Sequence, residues 1–178
     1  RLLGMDSVWQ VEKAAFPQAV LRKNFPEATL HGDIFDCHDL PYVDVIVAGF
    51  PCQPFSTAGE QRGEKDPRFL VLEMLRVINE VRPRIFLLEN VPGFASLNDG
   101  RSFKSLLGAL AEMGFDAEWG HIRASDVGAP HQRERWFCVG YTTSRVQQDE
   151  CESHSTAQFQ SQLDPAGRTI HRHSACRV

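Results

Sequence analysis

Short apolar runs alternate along the chain with longer stretches in which apolar residues recur every three or four positions. Arg1 to Met5 reads as the last turn of a helix, with Gly4 as its stop. Ser7-Val-Trp-Gln-Val11 reads as a short strand, with Glu12 at its end. Residues 14–24 read as a helix, with Ala15, Val20 and Leu21 among its apolar positions, and Phe25-Pro26 ends it. Thr29-Leu30 leads to a second strand end at Gly32-Asp33-Ile34. Val43 to Ala48, rich in β-branched residues, predicts a third strand that breaks at Gly49. Residues 56–68 are polar, hold two glycines and show no period. They read as a mobile loop, a linker or a lid. Phe69 to Val81 predicts a helix whose apolar positions include Leu72, Leu75, Val77 and Ile78, and Arg82-Pro83 ends it. Arg84 to Leu88 predicts a fourth strand, finishing at Glu89-Asn90. Ser102 to Met113 reads as a helix stopped by Gly114, Phe115 to Arg123 as a strand, 127–135 as a loop, and Trp136 to Tyr141 as a final strand. Strands alternating with helices predict an α/β fold with a parallel, doubly wound sheet.

From Thr142 the pattern dissolves into Ser, Gln, Thr and His, with few large apolar residues. No strand or helix period is read there. The division is therefore one unit over residues 1–141 and a tail over 142–178, either disordered or the start of a further region. The 178 residues suffice for one domain with a real core. With 42% apolar and 24% charged residues, the composition is that of an ordinary soluble globular protein. No apolar run approaches the ~20 residues of a membrane span, and no signal peptide is visible. The five cysteines form no CxxC pair, which suggests neither a zinc site nor a disulfide framework. No metal and a reducing, cytoplasmic setting are expected. The net charge of −4 does not by itself point to nucleic acid.

Candidate chemistry gathers at the predicted strand ends. Pro51 and Pro54 flank Cys52 and stiffen its segment. A strand that stops and presents a thiol on a stiff loop suits a nucleophile, although a buried structural cysteine beside a turn fits the same residues. Glu12, Asp33 and Glu89 end three strands. An acid after an early strand of a Rossmann-type unit is placed for ribose hydroxyls, and one strand on, Asp33 could accept from an adenine amino group. Together they suggest an adenosine-containing cofactor. Glu89 follows an apolar strand, where a carboxyl can serve as a proton donor or as a structural acid. Gln132-Arg-Glu-Arg135 sets two arginines two residues apart. In an extended segment both face one side and could hold a phosphate or a base carbonyl; a solvated charged face is the plainer alternative.

Taken in order, these segments resemble the cytosine-C5 DNA methyltransferases, of bacterial or phage type. Gly49-Phe-Pro-Cys-Gln-Pro-Phe-Ser56 resembles the family's nucleophile motif, Leu88-Glu-Asn-Val91 its Glu-Asn-Val motif, and Gln132-Arg-Glu-Arg135 its Gln-x-Arg-x-Arg-type motif. Trp9-Gln-Val-Glu12 and Gly32-Asp33-Ile34 resemble its cofactor-side segments. The resemblance covers about residues 1–141. Each motif alone is weak to moderate; five in the family's order are highly specific.

The resemblance implies a Rossmann-like S-adenosylmethionine-dependent methyltransferase fold, with a mostly parallel, doubly wound and here incomplete sheet. It implies S-adenosyl-L-methionine as cofactor, with Glu12 at the ribose, Asp33 and Ile34 at the adenine, and Phe50 and Pro51 bordering the methyl-donor pocket. Cys52 would add to C6 of a flipped cytosine, Glu89 would act at N3, Asn90 would fix the Pro51–Cys52 loop, and Arg135 and Arg133 would hold the pyrimidine. Ser56 and Arg68 would meet the DNA backbone. Duplex DNA is the implied partner, a restriction endonuclease a functional counterpart, and the protein a monomer. The family's Gly-rich loop and its recognition region are absent, so the chain reads as the central part of an enzyme cut at both ends, inactive by itself. A tRNA methyltransferase of the same family and a non-catalytic DNA-binding relative are the alternatives.

Overall fold

Alternation of buried and exposed side chains along the strands gives the main sheet one covered face and one open face. The computed structural model describes residues 4–50, 67–97, 99–142, 159–163 and 169–173. A first unit consists of β1 (Trp9–Val11), α1 (Ala15–Asn24) and β2 (Thr29–His31). Its two strands pair in parallel, Val11 opposite His31, so both carboxyl ends lie at one edge. A short 3-10 turn, Ile34–Asp36, follows. The second sheet is built from β3 (Val45–Gly49), β4 (Ile85–Asn90), β5 (Phe115–Arg123), β6 (Glu134–Thr142), β7 (Phe159–Leu163) and β8 (Thr169–His173). Its order is β3-β4-β6-β5-β8-β7. β3 and β4 are parallel, joined through α2 (Pro67–Val81), while β6 enters antiparallel between β4 and β5. α3 (Arg101–Glu112) links β4 to β5.

The two long helices cover one face. Val71, Met74, Leu75, Val77, Ile78 and Val81 of α2 are buried, with Phe103, Leu106, Leu107 and Leu110 of α3. They belong to one cluster with Ile46, Phe86, Leu88, Trp119, Trp136 and Cys138 from the strands. An aromatic group closes this core at the end of β3 and β4. Phe94 lies 5.1 Å from Phe50 and 5.0 Å from Trp136 between ring centroids. Such tilted and edge-to-face contacts add to simple burial.

Several sequence expectations need correction. Leu72 does not serve the core but is exposed, because the buried stripe of α2 runs through Val71, Met74 and Ile78. α1 buries no residue, and Phe16 stands in solvent. The polar loop stops earlier than residue 68, since α2 opens at Pro67, a residue suited to a first turn because it lacks the N–H that would be unpaired there. β4 runs on through Glu89 and Asn90, and β6 already includes Glu134 and Arg135. The tail, polar in composition, carries the two strands β7 and β8, which extend the sheet from β5. Backbone pairing with an existing edge needs no apolar period, so the sequence pattern did not show them.

Candidate active site

The site begins at adjoining strand ends. Register sets Gly49 of β3 opposite Glu89 of β4, and Glu89 opposite Phe137 of β6. Side chains alternate along β4: Phe86 and Leu88 are buried in the core, and so is Asn90. Glu89 therefore faces the open side of the sheet. Arg135, two residues before Phe137, is its diagonal neighbour on that same side. The guanidinium Nε donates to Glu89 Oε1 at 2.8 Å. Arg135 Nη1 donates to the carbonyl of Glu134 at 2.8 Å, which fixes the fork. Gly49 leaves room for this pair, because a Cβ there would stand 3.3 Å from Glu89 Oε2.

Asn90 turns the other way and is only 3% exposed. Its Nδ2 donates to the carbonyl of Phe50 at 3.0 Å, and its Oδ1 accepts from the Val91 N–H at 2.8 Å. One buried amide thus ties the end of β4 to the last described residue before position 51. Phe50 is itself buried against Phe94. The chain leaves β3 towards Cys52 from a carbonyl held in place on the core side.

The other cluster lies at the carboxyl ends of β1 and β2. The Glu12 N–H donates to the His31 carbonyl at 3.0 Å, which holds the end of β1 beside β2. Glu12 Oε1 accepts from the Ala14 N–H at 2.7 Å, and Gln18 Nε2 donates to the Glu12 carbonyl at 2.7 Å. Glu12 Oε2 has no hydrogen-bond partner among the described residues. Asp33 opens the 3-10 turn, its Oδ1 accepting from the Phe35 N–H at 3.3 Å. Its Oδ2 meets the Lys13 ammonium at 2.6 Å. The Lys13 hydrogen bond holds the Asp33 carboxyl below its ordinary value of 3.8.

Of the sequence-predicted residues, Glu89 and Arg135 are brought into contact, and Asn90 is joined to Phe50. Glu12, Asp33 and Ile34 share one edge. Arg133 is exposed and precedes β6; its carbonyl accepts from the Ala124 N–H. Pro51, Cys52, Ser56 and the rest of the expected loop up to residue 66 lie outside the described residues, as does the side chain of Arg68 in the first turn of α2. Sequence reasoning missed Gly49 as the space for Glu89, and Lys13 as the partner of Asp33. It also missed Arg76. Arg76 Nη2 donates to the Ile34 carbonyl at 3.0 Å and Nη1 to the Cys37 carbonyl at 2.9 Å. Its neighbours Glu73 and Glu80 stand three residues before and four after, a spacing that reads as an ordinary solvated helix face.

The sequence profile described as C-5 cytosine-specific DNA methylase matches residues 1–173. The chain belongs to that family. Within the family, it is 41% identical over 145 residues to the Type II methyltransferase M1.ScrFI of Lactococcus lactis subsp. cremoris, a match covering 80% of this chain and 37% of that protein. It is 40% identical over 123 residues to M.BanI of Aneurinibacillus aneurinilyticus, covering 68% of this chain and 28% of that one. Among solved structures, a DNA modification methyltransferase described as putative, encoded within an Escherichia coli prophage, superposes with a TM-score of 0.65 at 27% identity, over 79% of this chain and 41% of that one. A DNMT2 mutant from Spodoptera frugiperda gives 0.64 at 25% identity, over 83% and 46%. The methylase-family chain thus spans between 28% and 46% of the length of these relatives. Among its described residues no helix is long and apolar enough to cross a membrane.

Proposed function

We propose that the protein carrying this chain transfers a methyl group from S-adenosyl-L-methionine to C5 of cytosine in duplex DNA, through a covalent Cys52 adduct on a flipped base. The observation that supports this most is the junction of strand ends, where Asn90 holds the Phe50 carbonyl and Arg135 holds Glu89. Covalent reach keeps Cys52 within about 7 Å of Phe50, whatever path the chain takes. The carboxyl of Glu89 and the guanidinium of Arg135 meet at the same strand ends from which the chain leads on to Cys52.

Each group has a task in that reaction. Atom C5 of cytosine is a poor nucleophile. The Cys52 thiolate adds to C6, and the ring π electrons shift so that N3 takes a proton and C5 becomes an enamine carbon. Glu89 hydrogen-bonds or protonates N3; its Oε2 has no partner among the described residues. Arg135 Nη2, likewise without a partner there, suits the pyrimidine carbonyl, with Arg133 nearby in sequence. After transfer N3 gives its proton back to the Glu89 carboxylate, a base such as water takes the C5 proton, and the electron pair of that C–H bond forms the C5–C6 double bond as the thiolate leaves C6. Ser56 and Arg68 serve the DNA backbone.

The cofactor supplies an electrophilic methyl group. The cluster at β1 and β2 fits it: Glu12 has a carboxylate oxygen to spare for a ribose diol. The Asp33 carboxylate, although bound by Lys13 and Phe35, retains lone pairs for an amino donor. Ile34, Phe50 and Pro51 complete that side. Duplex DNA is the partner, and the protein acts as a monomer. Methylation at C5 alters the major-groove edge that a sequence reader sees. A restriction endonuclease of matching specificity is therefore the functional counterpart.

The test is nucleoside mass spectrometry after the full-length protein is incubated with S-adenosyl-L-methionine and either duplex DNA or tRNA. The expected product is 5-methylcytosine in DNA, lost in Cys52→Ala. Methylation of tRNA alone, or at the exocyclic N4 of cytosine, would overturn the reading.

A further inference from the structure

Arg76 stands on α2, and its side chain is mostly buried, with 24% exposure. Within its own helix it pairs with Glu73 at 2.6 Å and Glu80 at 2.8 Å. Pairs at these spacings on a helix surface contribute little stability by themselves. Beyond its helix it also meets His38 Nδ1 at 3.4 Å, and its contacts to two backbone carbonyls are of a different kind. Ile34 and Cys37 lie some forty residues earlier and belong to the 3-10 turn that begins after Asp33. Within the turn the Ile34 carbonyl already accepts from the Cys37 N–H at 3.2 Å, and a carbonyl oxygen has a second lone pair for a further donor. Arg76 adds that second donor to Ile34 and also donates to the Cys37 carbonyl that follows the turn, while the Asp33 carboxylate accepts from the Phe35 N–H at its start. The Cys37 thiol adds a contact to the Asp33 carbonyl at 3.1 Å. The turn is thus held at both ends, by its own acid and by a guanidinium from another element.

We propose that Arg76 is the positioning residue of the adenine end of the cofactor site: the two glutamates orient its planar fork, and the fork holds the Ile34–Cys37 turn so that Asp33 and Ile34 keep their place. This rests on the reading of Asp33 and Ile34 as cofactor-side residues. The fork is what the task requires. A lysine carries one compact ammonium and cannot serve two carbonyls and two carboxylates from fixed directions. α2 is also the helix reached directly from the segment that carries Cys52. The same side chain therefore links the helix that follows the Cys52 segment to the cofactor's turn.

The test uses the full-length protein and S-adenosylhomocysteine as the probe, with calorimetric titration of wild type, Arg76→Lys and Glu80→Gln. Steady-state methyl transfer is measured on the same samples. Arg76→Lys is expected to weaken binding by about tenfold, equivalent to ~1.4 kcal/mol. KM for S-adenosyl-L-methionine should rise in step, while kcat at saturation stays within about twofold. Glu80→Gln changes a surface carboxylate and leaves the fold intact; it should give a smaller rise of the same kind, about threefold. If the lysine variant fails to fold, Glu80→Gln alone decides. Unchanged binding in a folded Arg76→Lys, or in Glu80→Gln, overturns the positioning role. A fall in kcat with KM unchanged does so as well. Wild type that methylates DNA but does not bind the probe would remove the cofactor assignment of this edge, a different failure from normal binding in the variants.

Discussion

Glu89 and Asn90 are neighbours in sequence with opposite duties. The two-residue period of β4 sends Glu89 to the open face, beside Arg135, and Asn90 into the core, against the Phe50 carbonyl. The Gly-Phe-Pro-Cys and Glu-Asn pairs were legible in the sequence because their residue types are unusual at a strand end. Their division between two faces was not, since it depends on where β4 stops. Removing Asn90 tests the division. Asn90→Ala leaves a buried carbonyl without its donor, which costs about 1–3 kcal/mol. It also frees the backbone that leads to Cys52. We expect a lowered thermal midpoint and, in the protein that remains folded, methyl transfer reduced by about tenfold or more. Normal turnover in a merely destabilised variant would show that Asn90 supports the core and not the nucleophile segment. Arg76 escaped the sequence for a related reason: its glutamate neighbours look like surface pairing, and its distant carbonyl partners are visible only in three dimensions.

At the scale of elements, alternation and helical period located β1, α1, β3, α3 and β5 to within a residue or two. The positive φ of Gly114 is what ends α3, as its sequence position suggested. Pairing was not legible. An apolar strand does not announce its neighbour, so the antiparallel entry of β6 between β4 and β5 had no signature. The one local trace of it is Gly140. That residue lies opposite Phe86 in the β4–β6 ladder. A Cβ at Gly140 would overlap the Phe86 ring, which is fully buried. Overpacking of this kind costs about 1–3 kcal/mol. Gly140→Ala should therefore lower stability in denaturant titration, and pairing it with Phe86→Leu should recover part of the loss. A double variant no better than the sum of the two single ones would argue against direct contact as the cause.

At the scale of the whole molecule, α2 and α3 cover one face of the sheet, and Val47, Ile85 and Val139 are exposed on the other. The covered core sets the stability, and one of its groups makes that stability depend on pH. Burial pushes the Cys138 thiol from its ordinary 9.0 up to about 12. The unfolded chain loses this proton near the ordinary value, while the folded chain keeps it. The contribution is therefore complete below the ordinary thiol range and is lost as pH rises towards the folded value. The full loss is about 4 kcal/mol. Denaturant titrations between about pH 8 and pH 10.5 should show a falling midpoint, with a shallower fall in Cys138→Ala. Equal slopes would place the alkaline loss elsewhere.

The family was legible from five short motifs in order, and the described residues of each lie at or beside a strand end. The central claim is that Cys52 forms a covalent bond to the target base. The most direct measurement is the intact mass of the full-length protein after incubation with S-adenosyl-L-methionine and duplex DNA containing 5-fluorocytosine. Fluorine at C5 prevents the final elimination, so a stable protein–DNA adduct is expected that carries one added methyl group and is absent in Cys52→Ala. Methylation of ordinary DNA, with no adduct on the fluorinated duplex, would contradict it.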